Sequence, residues 1–128
     1  MKIKIPVSVG ELIDKFTILE IKLERIKDKE KIKNVEKEYI ELKNIENDLK
    51  KTKDYEEKYF SKLKQVNIQL WNIEDEIRIF EKNKNFDDNF LKLARSVYKL
   101  NDERSVLKRK INLEYGSEYI EEKDYEEY

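Results

Sequence analysis

The chain has no cysteine, no histidine, one proline and two glycines among its 128 residues. Without cysteine there is no disulfide, no thiolate ligand and no cysteine nucleophile. Without histidine the usual proton-transfer group at neutral pH and the commonest metal ligand are both missing. The di-metal bundle pattern, which needs histidine, is absent too, so the expectation is no metal and no cofactor. No Gly-rich phosphate loop, zinc spacing or nucleophile elbow occurs. Long apolar runs are also lacking. Nothing approaches the ~20 residues of a membrane span, and "MKIKIPVSVGE" lacks the apolar stretch of a signal peptide, so the expected location is the cytoplasm.

What is present is charge. Charged residues make up 45% of the chain, against a usual ~25%. The 28 basic and 29 acidic residues nearly cancel, leaving a net charge of −1. Apolar positions recur throughout at helical spacing, which separates this composition from disorder. The length fits one domain, residues 1–128.

The order of elements follows from caps and seams. Pro6 biases Ile5 toward an extended backbone, so residues 1–7 form a short arm. Ser8 and Glu11 fit a capping box, with Ser8 accepting from the Glu11 amide and the Glu11 carboxylate reaching back. Val9, Leu12, Phe16, Leu19, Leu23 and Ile26 then make a heptad seam. Ile13, Ile18 and Ile21 lie off it, so helix 1 is apolar over more than half its circumference and belongs at the centre. Asp28 caps a second helix. Thr52 or Asp54 caps a third, whose seam from Tyr59 to Phe80 never slips. Asp87 or Asp88 caps a fourth, which Gly116 ends. Short connections make successive helices antiparallel neighbours. The expected fold is all-α: an elongated antiparallel bundle of about four helices, helices 2 and 3 projecting as a coiled-coil hairpin. The acidic tail, residues 114–128, either pairs with the N-terminal arm or is loose.

Three polar stripes border the seams. Lys15 and Lys22 share a flank of helix 1. Trp71, Glu74 and Arg78 align on helix 3. On helix 4 the seam itself turns polar at Arg104, beside Asn101. A buried arginine is costly unless paired. Arg104 therefore either meets a carboxylate such as Glu74 and fixes register, or lines a wet anion pocket. The candidate anion-binding set is Lys15, Lys22, Arg78, Asn101 and Arg104, with Glu74 as polar partner and Trp71 as platform. Asp14 and Lys15 read as ordinary helix-surface charges, unless the central burial of helix 1 presses them into service. Residues 92–110 carry seven basic against two acidic side chains, whereas residues 114–128 carry seven acidic against Lys123 alone. Self-neutralisation is thus favoured over nucleic-acid binding.

Four segments in order carry a family resemblance: "PVSVGELIDKFTILEIKLERI", "LWNIEDEIR", "LARSVYKLNDERSVLKRKIN" and "EEKDY". Together they resemble DUF6165, a family of short helical proteins. The resemblance implies a setting near sugar-transfer and surface-polysaccharide systems and carries over no catalytic residue. The leading functional expectation is a helical interaction or scaffold protein, a homodimer that docks a protein partner such as a glycosyltransferase. The alternative is a small bundle enzyme or binder of an anionic metabolite, using a Lys/Arg pocket between helices 1, 3 and 4.

Overall fold

The computed structural model describes residues 1–52 and 57–128. They form four helices: α1 (Val9–Arg25), α2 (Lys29–Thr52), α3 (Glu57–Lys82) and α4 (Asp88–Glu114). About three-quarters of the described residues are helical, and none of them is in a strand. Among the described residues no helix is long and apolar enough to cross a membrane.

The caps act where the sequence places them, with two differences. Ser8 accepts from the Glu11 amide at 3.1 Å, Asp28 from that of Lys31 at 2.9 Å, and Asp87 from those of Asn89 and Phe90. The Glu11 carboxylate, however, does not close the capping box; it turns outward to Lys108 at 2.8 Å. Thr52 donates back to the Leu49 carbonyl, and Asp54 lies outside the described residues. Gly116 has φ +62° just past α4, a left-handed turn that glycine adopts without a Cβ clash.

α1 is central, as its apolar circumference demands. It packs against each of the other three helices. It runs antiparallel to α2, with Phe16 stacked on Tyr39 at 5.1 Å and Lys15 paired to Glu38. It runs antiparallel to α4 as well, Gly10 meeting Asn112 and Asp14 meeting Arg104. Its course beside α3 is parallel: Ile13 packs with Leu63 near one end, and Arg25 reaches Asn72 near the other. The off-seam residues Ile13 and Ile21 are as fully buried as Phe16 and Leu19. Ile13, Leu63 and Ile111 form the inner core, bordered by Leu49, Phe60 and Leu107.

The projecting hairpin is α3–α4, and not helices 2 and 3. Among the described residues α2 and α3 do not pack helix to helix, because α1 lies between them and takes the apolar face of each. α1 ends beside Asn72, ten residues before α3 does. At 1.5 Å per residue the α3–α4 pair therefore extends about 15 Å past its last covering helix. Burial records the consequence. The fully buried residues of α3 stop at Asn67, and those of α4 begin only at Lys108. At the tip Phe80, Phe86 and Phe90 pack on one another, with ring centroids 5.2 Å apart for Phe86–Phe90 and 6.4 Å for Phe80–Phe90. Ile79, Phe86 and Leu91 remain more than half exposed.

The arm, residues 1–7, is neither helix nor strand, and Lys2 ties it to Glu41 of α2. The tail forms no strand with it. Instead the tail folds back along the basic face of α4, Glu121 on Lys108 at 2.8 Å and Glu122 on Arg109 at 2.6 Å.

Candidate functional site

The polar centre of the bundle is built where α1, α3 and α4 meet. Asp14, expected at the surface, is 1% exposed because α1 is covered on that flank too. Its Oδ1 accepts from Asn67 Nδ2 and from Arg104 Nε, both at 2.9 Å. Its Oδ2 accepts from Arg104 Nη2, so the guanidinium grips the carboxylate with two parallel donors. The second hydrogen of Asn67 Nδ2 goes to Thr17 Oγ1 at 2.8 Å, and Thr17 itself donates to the Asp14 carbonyl at 2.7 Å. Both hydrogens of Asn67 Nδ2 and the Thr17 hydroxyl are thereby paired within the protein.

Lys108 extends the cluster outward. Its ammonium lies 4.0 Å from Asp14 and donates to Glu11 and Glu121, each at 2.8 Å. Burial works against the Lys108 charge, yet the hydrogen bonds to Glu11 and Glu121 hold its pKa above the usual lysine value. The Asp14 hydrogen bond holds Arg104 firmly protonated. Glu121 titrates below the ordinary glutamate value, chiefly because Lys108 donates to it.

One turn away, α4 closes the start of α1. The Gly10 amide donates to Asn112 Oδ1 at 2.6 Å, and the Val9 amide to Ser117 Oγ at 3.1 Å. With Ser8 already on the Glu11 amide, the first N–H groups of the helix are spoken for, and no anion is needed there. The closeness of α1 and α4 depends on Gly10. A Cβ at that position would stand 2.6 Å from the Lys108 carbonyl oxygen.

The structure brings only part of the sequence-derived set together. Arg104 donates to Asn101 Oδ1 at 3.4 Å. Lys15 is on the α2 side of α1, exposed and paired to Glu38 at 2.7 Å. Lys22 is half-buried two turns beyond Asp14, about 12 Å along the axis. Arg78 is eleven residues past Asn67, about 16 Å along α3, and pairs with Glu74 of its own helix. Glu74 is therefore not the partner of Arg104; α1, lying across α4 at that level, supplies Asp14 instead. Trp71 is half-buried. The principal grooves of the surface are lined by other residues than Asp14, Asn67, Arg104 and Lys108. Among the described residues no three carboxylates gather as a metal site.

The sequence did hold a signal for what was missed. A lone glycine in a first helical turn marks close backbone approach, and Gly10 is such a residue. Asp14 and Asn67 carried no comparable mark, since each is one ordinary polar residue beside a seam.

A separate groove runs between α3 and α4 on the tail side. It is about 690 Å³, and Tyr128 is one of its lining residues. No curated protein and no solved structure matches the chain. A family model does, that of a family of unknown function, DUF6165, and because it matches residues 1–128 the chain belongs to that family.

Proposed function

We propose that this protein is a non-enzymatic helical docking module that self-associates as a homodimer through the tip of the α3–α4 hairpin. The observation that carries this reading is the unsupported tip. Ile79, Phe86 and Leu91 are 58%, 55% and 56% exposed at the end of the α3–α4 pair that lies past the end of α1. Exposed apolar residues gathered at one end of a monomer often mark an interaction surface. A two-fold partner is the commonest cover for such a patch. The polar centre supports the same reading from the other side, because Asp14 accepts from Arg104 and Asn67, and Arg104 donates to Asp14 and Asn101. The anion-binder alternative rests on Lys15, Lys22, Arg78, Asn101 and Arg104 acting together, and three of the five stand apart from Arg104. Within the setting that the family resemblance implies, the protein partner of the dimer is a component of the sugar-transfer machinery, a glycosyltransferase or its complex.

Light scattering at micromolar concentration tests the self-association. The expected mass is twice the 15.7 kDa of one chain. The double variant Phe86→Ser/Leu91→Glu, changed only at exposed positions, should return to the single-chain mass with its helicity intact. A wild-type mass near that of one chain overturns the proposal.

A further inference from the structure

We infer that the acidic tail and the buried Asp14–Arg104 pair are coupled through Lys108, whose ammonium shifts from Glu121 to Asp14 when the tail leaves α4. Lys108 is then a two-position contact that carries the state of the tail to the α1–α4 junction. Neither position involves the hairpin tip.

Lys108 lies among carboxylates from two different segments. Its Nζ donates to Glu11 of α1 and to Glu121 of the tail, each at 2.8 Å, and stands 4.0 Å from Asp14 Oδ2. Its side chain is 10% exposed, so water cannot fully replace a lost carboxylate. Among the described residues it pairs with Glu11, Glu121 and Asp14, so loss of Glu121 leaves Asp14 as the carboxylate to move to. An inward shift of about 1 Å brings the ammonium into hydrogen-bond range of Oδ2. Charge balance permits both positions. With the tail docked, three anions (Glu11, Asp14, Glu121) face two cations (Arg104, Lys108), and with the tail released the count is two to two. Glu121, 41% exposed in its side chain, gives up an ion pair that is half in water. Asp14, 1% exposed, gains a second cation where solvent screens it least.

The tail can swing without unmaking the bundle. Gly116 turns the chain, and Ser117 pins it, accepting from the Val9 amide at 3.1 Å and donating to the Tyr119 carbonyl at 2.7 Å. Beyond that hinge the other contacts are open to solvent. Glu122 pairs with Arg109 at the surface, and Tyr128, 78% exposed, touches Asp102 and Tyr98. Exposed pairs of this kind contribute little. The coupling runs both ways, since whatever favours Lys108 on Asp14 disfavours the docked tail to the same degree. A change that draws Lys108 inward therefore frees the tail, and a change that removes the tail alters the donors on Asp14.

NMR of the full chain tests it, through the Arg104 Nε–H and Asn67 side-chain amide signals, whose hydrogens both lie on Asp14. Glu121→Lys removes the outer acceptor and repels Lys108 inward. The Arg104 Nε–H proton should then move upfield, because an added donor on the carboxylate weakens those already there. In a Lys108→Met background the same substitution should leave both signals where Lys108→Met alone puts them. The reciprocal arm uses Arg104→Met, which strips Asp14 of two donors and draws Lys108 toward it. The tail should become more mobile, read as a loss of amide heteronuclear NOE at residues 121–124. Arg104 and Asn67 signals that Glu121→Lys does not move overturn the inference. So do signals that move by the same amount without Lys108, since the cause is then the direct field of residue 121. A folded Arg104→Met chain whose tail is as rigid as in wild type also overturns it.

Discussion

Replacing Arg104 by methionine isolates the role of the polar centre. The substitution keeps a long unbranched side chain but removes both donors that Asp14 receives from α4. Asp14 is 1% exposed and, among the described residues, would keep Asn67 as its close donor, with Lys108 at 4.0 Å. Breaking a buried ion pair by deleting one member costs about 3–5 kcal/mol, because the surviving charge stays desolvated. Two features place this site at the low end. The Arg104 side chain is 29% exposed, so water can follow it in, and Lys108 needs little movement to approach. The expected loss is about 3 kcal/mol. With a urea m-value of about 2 kcal/mol/M, the unfolding midpoint should fall by about 1.5 M. Arg104→Lys should recover only part, since an ammonium cannot reproduce the two-pronged grip. The double variant Asp14→Leu/Arg104→Met should lie close to wild type, because a buried pair can often be replaced by apolar residues at little cost. Urea denaturation of the full cycle measures the coupling. A loss within about 0.5 kcal/mol for Arg104→Met, typical of a surface change, would refute the buried-pair reasoning. Stabilisation of wild type, but not of Arg104→Met, by inorganic phosphate would reveal an anion site instead.

Gly10→Ala should destabilise by about 2 kcal/mol despite the better helix former, because the new Cβ must push α1 from α4 and strain the Asn112 contact. Thermal unfolding checks it, and a melting point at or above wild type would mean that the α1–α4 approach is not tight. Leu63, fully buried between α1 and α4, should cost about 2–5 kcal/mol when cut to alanine; a change below about 1 kcal/mol would place it outside the core. The tail contact should be pH-dependent. The Glu121 pKa lies below its usual 4.5 in the folded chain, so its contribution is present at neutral pH and is lost as pH falls through that lowered value. The groups facing it are Lys108, Lys123 and Arg104, all cationic throughout that window. Ring-current shifts of Tyr98 and Tyr128 in NMR spectra should fade over that acid range; shifts that persist there would show that the Tyr98–Tyr128 contact does not depend on Glu121.

The helices were legible because their signals are local. Ser8, Asp28 and Asp87 cap by reaching amides two or three residues away, and Gly116 turns the chain by its own φ. The centrality of α1 was legible as well, in the apolar residues off its seam. Two things were not. Which pair of helices projects depends on lengths compared across the bundle: α1 is shorter than α3, so it leaves the far end of α3–α4 uncovered. The partner of Arg104 depends on register. Asp14 and Glu74 are equally good carboxylates in the sequence, and only the antiparallel alignment of α1 with α4 sets Asp14 opposite it. The charge pattern fared better. The opposition of a basic α4 and an acidic tail, visible in the composition of two adjacent segments, corresponds to contacts between them at Lys108 and Arg109.

Hydrogen–deuterium exchange at two protein concentrations tests the docking account most directly. Amides near the hairpin tip, residues 76–95, are on helices without a buried residue at that level, so in a lone chain they should open easily. If the tip is the contact between copies, raising the concentration about a hundredfold from the low micromolar range should slow exchange there and leave residues 9–25 of α1 unchanged, because association adds protection only where it buries surface. Exchange at residues 76–95 that is independent of concentration, or protection that appears on α2 instead, would contradict it.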